Sequence, residues 1–149
     1  MNVFDTLAQS ARQWPDRIAI IDAAGSMDYR TLWNEVEALR VQLNKLGVIE
    51  GQGVGIRARN GRAFIIGGLA ALGCGAVVMP IHHQIKPDEV AEMLAKAPLC
   101  VIIDDGSGIA QPGRTIVLEN GHGLRFTRLD NSQALLAPQI KDAAFVRFT

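Results

Sequence analysis

Leu32, Val36, Leu39, Leu43 and Leu46 recur at spacings of four and three, which lays one apolar stripe along a helix. Asp28 stands where its carboxylate accepts a first-turn N–H, and Gly47 supplies the left-handed residue that ends the helix. A second helical pattern opens the chain. Val3, Phe4, Leu7, Ala8 and Ala11 share a face within residues 2–14, with Asn2 as N-cap and Pro15 enforcing the stop. Between these helices "RIAII" reads as a strand, and Gly25 and Ser26 turn the chain back into "MDY".

From residue 54 the pattern alternates. Strands are predicted at 54–58, 76–79 and 99–103, and helices at 62–72 and 87–96. Short apolar strands without polar alternation want cover on both faces, and crossover helices provide it. The expected fold is therefore α/β: a doubly wound, mostly parallel sheet with helices on both faces, one subdomain over residues 1–149. Pro87 in a first turn, with Asp88 and Glu89 beside it, fixes the start of the last of these helices. After Asp105 the chain reads as a loop at "GSGIAQPG", a strand at "TIVL", a turn at "NGHG" and a short helix from a cap at Asp130 to Ala137.

The uncharged run at 63–81, "AFIIGGLAALGCGAVVMPI", has about the length of a membrane helix. Gly73 and Gly75 interrupt it, "AVVM" is β-branched and Pro80 closes it, so it reads as buried helix, turn and buried strand, with no membrane span. With 149 residues the chain can bury roughly 70% of its unfolded surface, enough for a real core. Fifteen Lys and Arg balance fifteen Asp and Glu, which leaves no field to attract nucleic acid. Cys74 and Cys100 sit in apolar runs without metal-ligand spacing, and the N-terminus has no basic segment followed by an apolar one. Reduced thiols and a cytoplasmic location are expected.

In open α/β sheets ligands gather at the carboxyl ends of the strands, here residues 59–61, 81–86 and 104–108. The candidates at this edge are Asn60, His82 and His83. Asn60 is read most simply as the N-cap of the helix that follows. His82 and His83 are adjacent, and neighbours in an extended segment point to opposite sides, so joint metal ligation is awkward. Asp104 and Asp105 end a strand and read as acids capping a turn. No Walker motif, serine-hydrolase elbow or complete dinucleotide fingerprint is present, and no residue is assigned to catalysis or to a metal.

The order of "WPDRIAII", "MDYRTLWNEVEALRVQLNKLGVIEGQGVGIRARN", "GLAALGCGAVVMPIHHQIKPDEVAEML" and "CVIID" resembles the N-terminal region of the adenylate-forming superfamily, which holds acyl-CoA synthetases, adenylation domains and luciferases. The likeness runs from Met1 to about Asp104 and resumes at "AAFVRFT", which looks like the strand that leads into a Ser/Thr/Gly-rich phosphate loop in this family. Thr-Tyr-x-Glu-Leu of the family has become Asp28, Tyr29, Arg30, Thr31 and Leu32, which keeps the capping oxygen and loses the reciprocal acid.

The resemblance implies an ATP-dependent acyl-CoA synthetase of fatty acid metabolism as parent. A carboxylate attacks the α-phosphate of ATP, and a thiol such as coenzyme A then displaces AMP. ATP, Mg²⁺ and CoA are cofactors of that parent, held by groups later in the family's chain. Only Arg147, Phe148 and Thr149 match the approach to the nucleotide site. The chain is accordingly expected to be a fragment, inactive alone, whose last strand lies buried among the others. The rest of the parent enzyme is its expected partner, with self-association through an uncovered face as a further expectation. The rival reading is a free-standing α/β module that binds a small ligand without catalysis, separable by the codons downstream of Thr149.

Overall fold

The computed structural model describes residues 2–106, 123–129, 135–136, 140 and 142–147, and the backbone of 114–117. Its elements are α1 (Val3–Gln13), β1 (Ile18–Asp22), β2 (Gly25–Asp28), α2 (Tyr29–Lys45), β3 (Gly53–Arg57), α3 (Arg62–Gly73), β4 (Val77–Pro80), α4 (Pro87–Lys96), β5 (Leu99–Asp104), β6 (Arg114–Val117) and β7 (Arg125–Arg128).

The caps decide where the first helices begin. Asn2 accepts the Asp5 N–H at 3.1 Å while Asp5 accepts the Asn2 N–H at 3.0 Å, a reciprocal pair that satisfies two orphan donors of α1. Asp28 accepts the Thr31 N–H at 2.8 Å, and α2 ends before Gly47 at φ +87°. The stripe read from the sequence is the buried one: Leu32, Val36, Leu39 and Leu43 face the core.

β1 and β2 form a separate two-stranded antiparallel sheet. Its turn falls on Ala23 and Ala24, with the Ala24 N–H donating to Asp22 at 3.0 Å, and Ser26 already belongs to β2. The main sheet has the order β4-β3-β5-β7-β6. β3 pairs parallel with β4 and β5, whereas β7 pairs antiparallel with β5 and β6. The sheet is thus mixed, parallel in one half and antiparallel in the other.

One apolar core joins α1, α2 and α3 to Val54, Ile56, Val78, Ile103 and Phe126, and a second joins α4 to Val77, Met79, Leu99 and Ile102 on the opposite face. The crossover from β3 to β4 runs one way along the sheet and that from β4 to β5 runs back, so helices of common crossover hand end on opposite faces. β3 alternates Gly53 and Gly55 with Val54 and Ile56. A Cβ on Gly55 would stand 2.7 Å from Ile81 Cδ1 and 2.9 Å from Leu99 Cδ1, so the α4 side of β3 is filled by its neighbours' side chains.

One strand was not foreseen, and two further expectations are corrected. β7 was not predicted, although Leu124 and Phe126 on its α3 side are fully buried. Leu135, expected in a helix, forms an antiparallel bridge with Gln52, and the Leu136 N–H donates to Gly51 O at 2.9 Å; the expected cap at Asp130 lies outside the described residues. The last strand is not buried among the others. Phe145 pairs parallel with Val78 on the outer side of β4 and is 53% exposed, so this segment forms the edge of the sheet.

Candidate functional site

The carboxyl ends of β3, β4 and β5 face the same way, and the loops leaving β3 and β5 run in opposite directions across the sheet. That divergence makes a switch point between residues 57–61 and 104–106, the place where open α/β sheets take ligands. Here it is laced by hydrogen bonds. Asp105 Oδ2 accepts the Arg59 N–H at 2.8 Å, and the Asp105 N–H donates to Arg57 O at 3.2 Å. Asp104, 4% exposed, accepts the Gly106 N–H and pairs with Arg125 Nη2 at 2.9 Å. Both acids cap and tie loops, as their position after a strand suggested.

The buried Arg57 guanidinium donates to Ile85 O at 3.5 Å, which links β3 to the loop that follows β4. That loop holds His82 and His83. It is a turn, closed by the Ile85 N–H donating to His82 O at 3.1 Å. The extended geometry that would send the two side chains apart is therefore absent, and the imidazoles stack with centroids 4.9 Å apart and 21° between planes. His82 Nδ1 accepts the Gln84 N–H at 3.2 Å. Among the described residues no three His, Cys, Asp or Glu come close enough to hold a metal ion.

Asn60 is exposed and is not the cap of α3. The N-cap is Gly61 at φ +146°, which has no side chain to offer, and the acceptor comes from Asp22, whose Oδ2 takes the Arg62 N–H at 2.9 Å. The Arg62 guanidinium donates to the same carboxylate, with Nη2 at 2.8 Å from Oδ1. These side-chain and backbone donors hold the Asp22 carboxyl well below the usual carboxylate range. Sequence reading missed Asp22 because its partner lies forty residues on. The available signal was a helix start at Gly61 with no capping side chain.

The terminal segment reaches the same edge. The Val78 N–H donates to Ala144 O at 2.7 Å and the Val146 N–H donates to Val78 O at 2.9 Å, a parallel ladder that sets Arg147 level with Pro80 and directs the chain toward the carboxyl edge. Phe148 and Thr149 lie outside the described residues. A depression of about 590 Å³ opens at the other end of the strands, lined in part by Asn2, Glu50, Gly75 and Asp142. Cys74 is half-buried and Cys100 buried, and burial pushes both thiols up to about 11. No described helix is long and apolar enough to cross a membrane.

The model of the AMP-binding enzyme family matches residues 7–149. The chain belongs to the AMP-binding enzyme family. AMB antimetabolite synthetase AmbB of Pseudomonas aeruginosa is 34% identical over 115 residues, which cover 74% of this chain and 9% of that protein. The salicyl-AMP ligase / salicyl-S-ArCP synthetase of Mycobacterium tuberculosis is 31% identical over 110 residues, 68% of this chain and 19% of that one. The Klebsiella oxytoca NpsA N-terminal subdomain superposes with a TM-score of 0.67 at 27% identity, covering 74% of this chain and 29% of that one. The fold is that of the N-terminal subdomain of adenylate-forming enzymes, and the chain spans less than a third of each of these relatives. Their names point to peptide-synthetase adenylation enzymes and aryl-acid ligases, and give no support to the narrower expectation of an acyl-CoA synthetase in fatty acid metabolism.

Proposed function

We propose that this chain is the architectural N-terminal part of an enzyme that activates a small amino or aryl acid with ATP and passes it to the thiol of a carrier protein. In the whole enzyme a carboxylate oxygen attacks the α-phosphorus of ATP, the bond to pyrophosphate breaks, and an acyl-adenylate forms. The carrier thiol then attacks the acyl carbon, loses its proton, and AMP leaves. The observation that carries this reading is the parallel pairing of Phe145 with Val78, which aims Arg147 at the strand ends, just before the place where the resemblance puts a phosphate loop. The relatives' names support the class of acid and acceptor: one is a salicyl-AMP ligase, and another is a fused adenylation-PCP di-domain from Klebsiella oxytoca.

The described residues of the edge do not make a Mg²⁺ site, because Asp104 is engaged by Arg125 and Gly106 and Asp105 by the Arg59 backbone. We place ATP, Mg²⁺ and the acceptor thiol on the later part of the enzyme, where the resemblance puts the groups that hold them. Within this chain, β3, β4 and β5 hold the strand ends in register, and the terminal segment carries the chain to them. We include residues 1–149 in one subdomain and keep Asn60, His82 and His83 as groups that line this edge.

Exchange of labelled pyrophosphate into ATP tests the proposal. The 149-residue chain alone is expected to give no carboxylate-dependent exchange. Grafted in place of the matching part of NpsA, it is expected to leave exchange with the acid preference of NpsA. Exchange by the chain alone, or a graft that folds and takes on a new acid preference, overturns the architectural role. Transfer of the activated acyl group to free CoA in place of a carrier protein would restore the acyl-CoA synthetase branch.

A further inference from the structure

Among the described residues the β1–β2 hairpin forms a sheet separate from the main one, and a two-stranded hairpin is marginal by itself. It is nevertheless joined to the carboxyl edge by a dense set of bonds. Asp22 Oδ2 accepts the backbone N–H of Arg62 at 2.9 Å and its Nε–H at 3.0 Å, and Asp22 Oδ1 accepts Arg62 Nη2 at 2.8 Å and the Ala24 N–H at 3.0 Å. Arg62 Nη2 also donates to Gly25 O at 3.0 Å, so one guanidinium spans the hairpin turn. The two side chains are only 17% and 14% exposed.

These contacts fall at one end of the β3–α3 loop. The other end is tied by Asp105, through the Arg59 N–H at 2.8 Å and Arg57 O at 3.2 Å. Ala58 opens the loop buried in the core, but beyond it Arg59 and Asn60 are exposed, and Gly61 holds a φ of +146° that glycine alone adopts freely. A loop so placed keeps one shape only if both ends are fixed from outside.

We propose that the β1–β2 hairpin is a brace for the β3–α3 loop, with Asp22 as the positioning residue that supplies the missing cap of α3 and holds residues 58–61 at the carboxyl edge. Its use rests on the reading of that edge as ligand-bearing; the brace itself does not. Charge-assisted bonds of this kind lend local rigidity, and their loss shows first in the element they tie and last in the core.

Hydrogen exchange on the 149-residue chain, read residue by residue, tests it. Asp22→Ala is expected to raise exchange of the Ala24 and Arg62 amides about tenfold or more, and to move the resonances of residues 58–63, while Val54, Ile56 and Ile103 stay protected. Asp22→Asn, which keeps one acceptor and the side-chain shape, is expected to fall between. Arg62→Gln, which keeps the backbone cap, is expected to leave the Arg62 amide protected and to loosen the Gly25 turn. Unchanged exchange in residues 58–63 of Asp22→Ala overturns the proposal. So does equal loss of protection in β3 and β5, or a chain in which both Asp22→Ala and Asp22→Asn fail to fold, since the pair would then govern the whole domain. A loosened loop at an edge later shown to take no ligand would leave the brace standing and defeat the functional reading instead.

Discussion

Val78 gives and receives one backbone hydrogen bond across the outer edge of β4: its N–H reaches Ala144 O at 2.7 Å, and its C=O takes the Val146 N–H at 2.9 Å, with Phe145 opposite. The terminal segment is attached to the sheet by this ladder and by Ala143, Ala144 and Val146, which are half-buried against the two cores, while Phe145 is largely exposed. Attachment through so few groups gives a local opening free energy well below that of the core.

The first prediction follows from that weakness. Val146→Pro removes the donor to Val78 O and is expected to release the segment while the rest stays folded. Amide exchange at Val78 should rise to that of an open edge, whereas Val54 and Ile103 should keep their protection. A Val78 amide as protected in the variant as in the parent chain would show that the pairing does not depend on this bond.

The second concerns close approach between helices. A Cβ on Gly73 would stand 2.7 Å from two ring carbons of Phe4 and 2.8 Å from Arg40 Cδ. Phe4 cannot yield freely, because its ring packs on Trp33 with centroids 5.1 Å apart and under the Arg40 guanidinium at 5.9 Å. Gly73→Ala would gain up to about 1 kcal/mol from helix propensity and lose about 1–3 kcal/mol to overpacking. Urea unfolding should therefore show a net destabilisation, accompanied by a change in Trp33 fluorescence. A more stable variant with unchanged emission would place Phe4 elsewhere.

The third is a pH dependence. Burial raises Cys74 and Cys100 from an ordinary thiol value of 9.0 to about 11. Above the unfolded value the unfolded chain loses thiol protons that the folded chain keeps, so stability falls as pH rises. The contribution is fully present below pH 9 and is lost progressively between about 9 and about 11. The measurement is the difference in urea midpoint between the parent chain and a Cys74→Ser, Cys100→Ala variant, which cancels the titration of other groups. That difference should shrink across this window; a constant difference would mean that the thiols ionise alike in both states.

How much of this was legible in the sequence depended on the range of the interactions. The α2 stripe, the Asn2 and Asp28 caps and the Pro87 start of α4 are local features, and the structure has them where the residues put them. β7 escaped because "RFTR" is four residues long with arginine at both ends, and only its partners β5 and β6 make it a strand. The His82 and His83 geometry was misjudged because a single turn hydrogen bond, from Ile85 to His82, replaces the extended chain that follows most strands. Asn60 looked like a cap because it sits between a strand and a helix, yet the helix takes its acceptor from the hairpin. The terminal segment, read as a strand, pairs with β4 through a single bridge at Phe145, and its place at the edge of the sheet depends on strand order, which no local pattern encodes.

The central claim is directional: the chain leaves the sheet beside Pro80, at the end where β3, β4 and β5 finish. Electron–electron distance measurements with a spin label at Arg147 test it most directly, with a second label at Gln84 in one sample and at Glu50 in another, and the native cysteines replaced. Gln84 follows β4 and Glu50 precedes β3, so a strand of four to five residues, roughly 13–17 Å, separates the two ends. The account predicts that Arg147 lies closer to Gln84 than to Glu50 in the folded chain; the opposite order would contradict it.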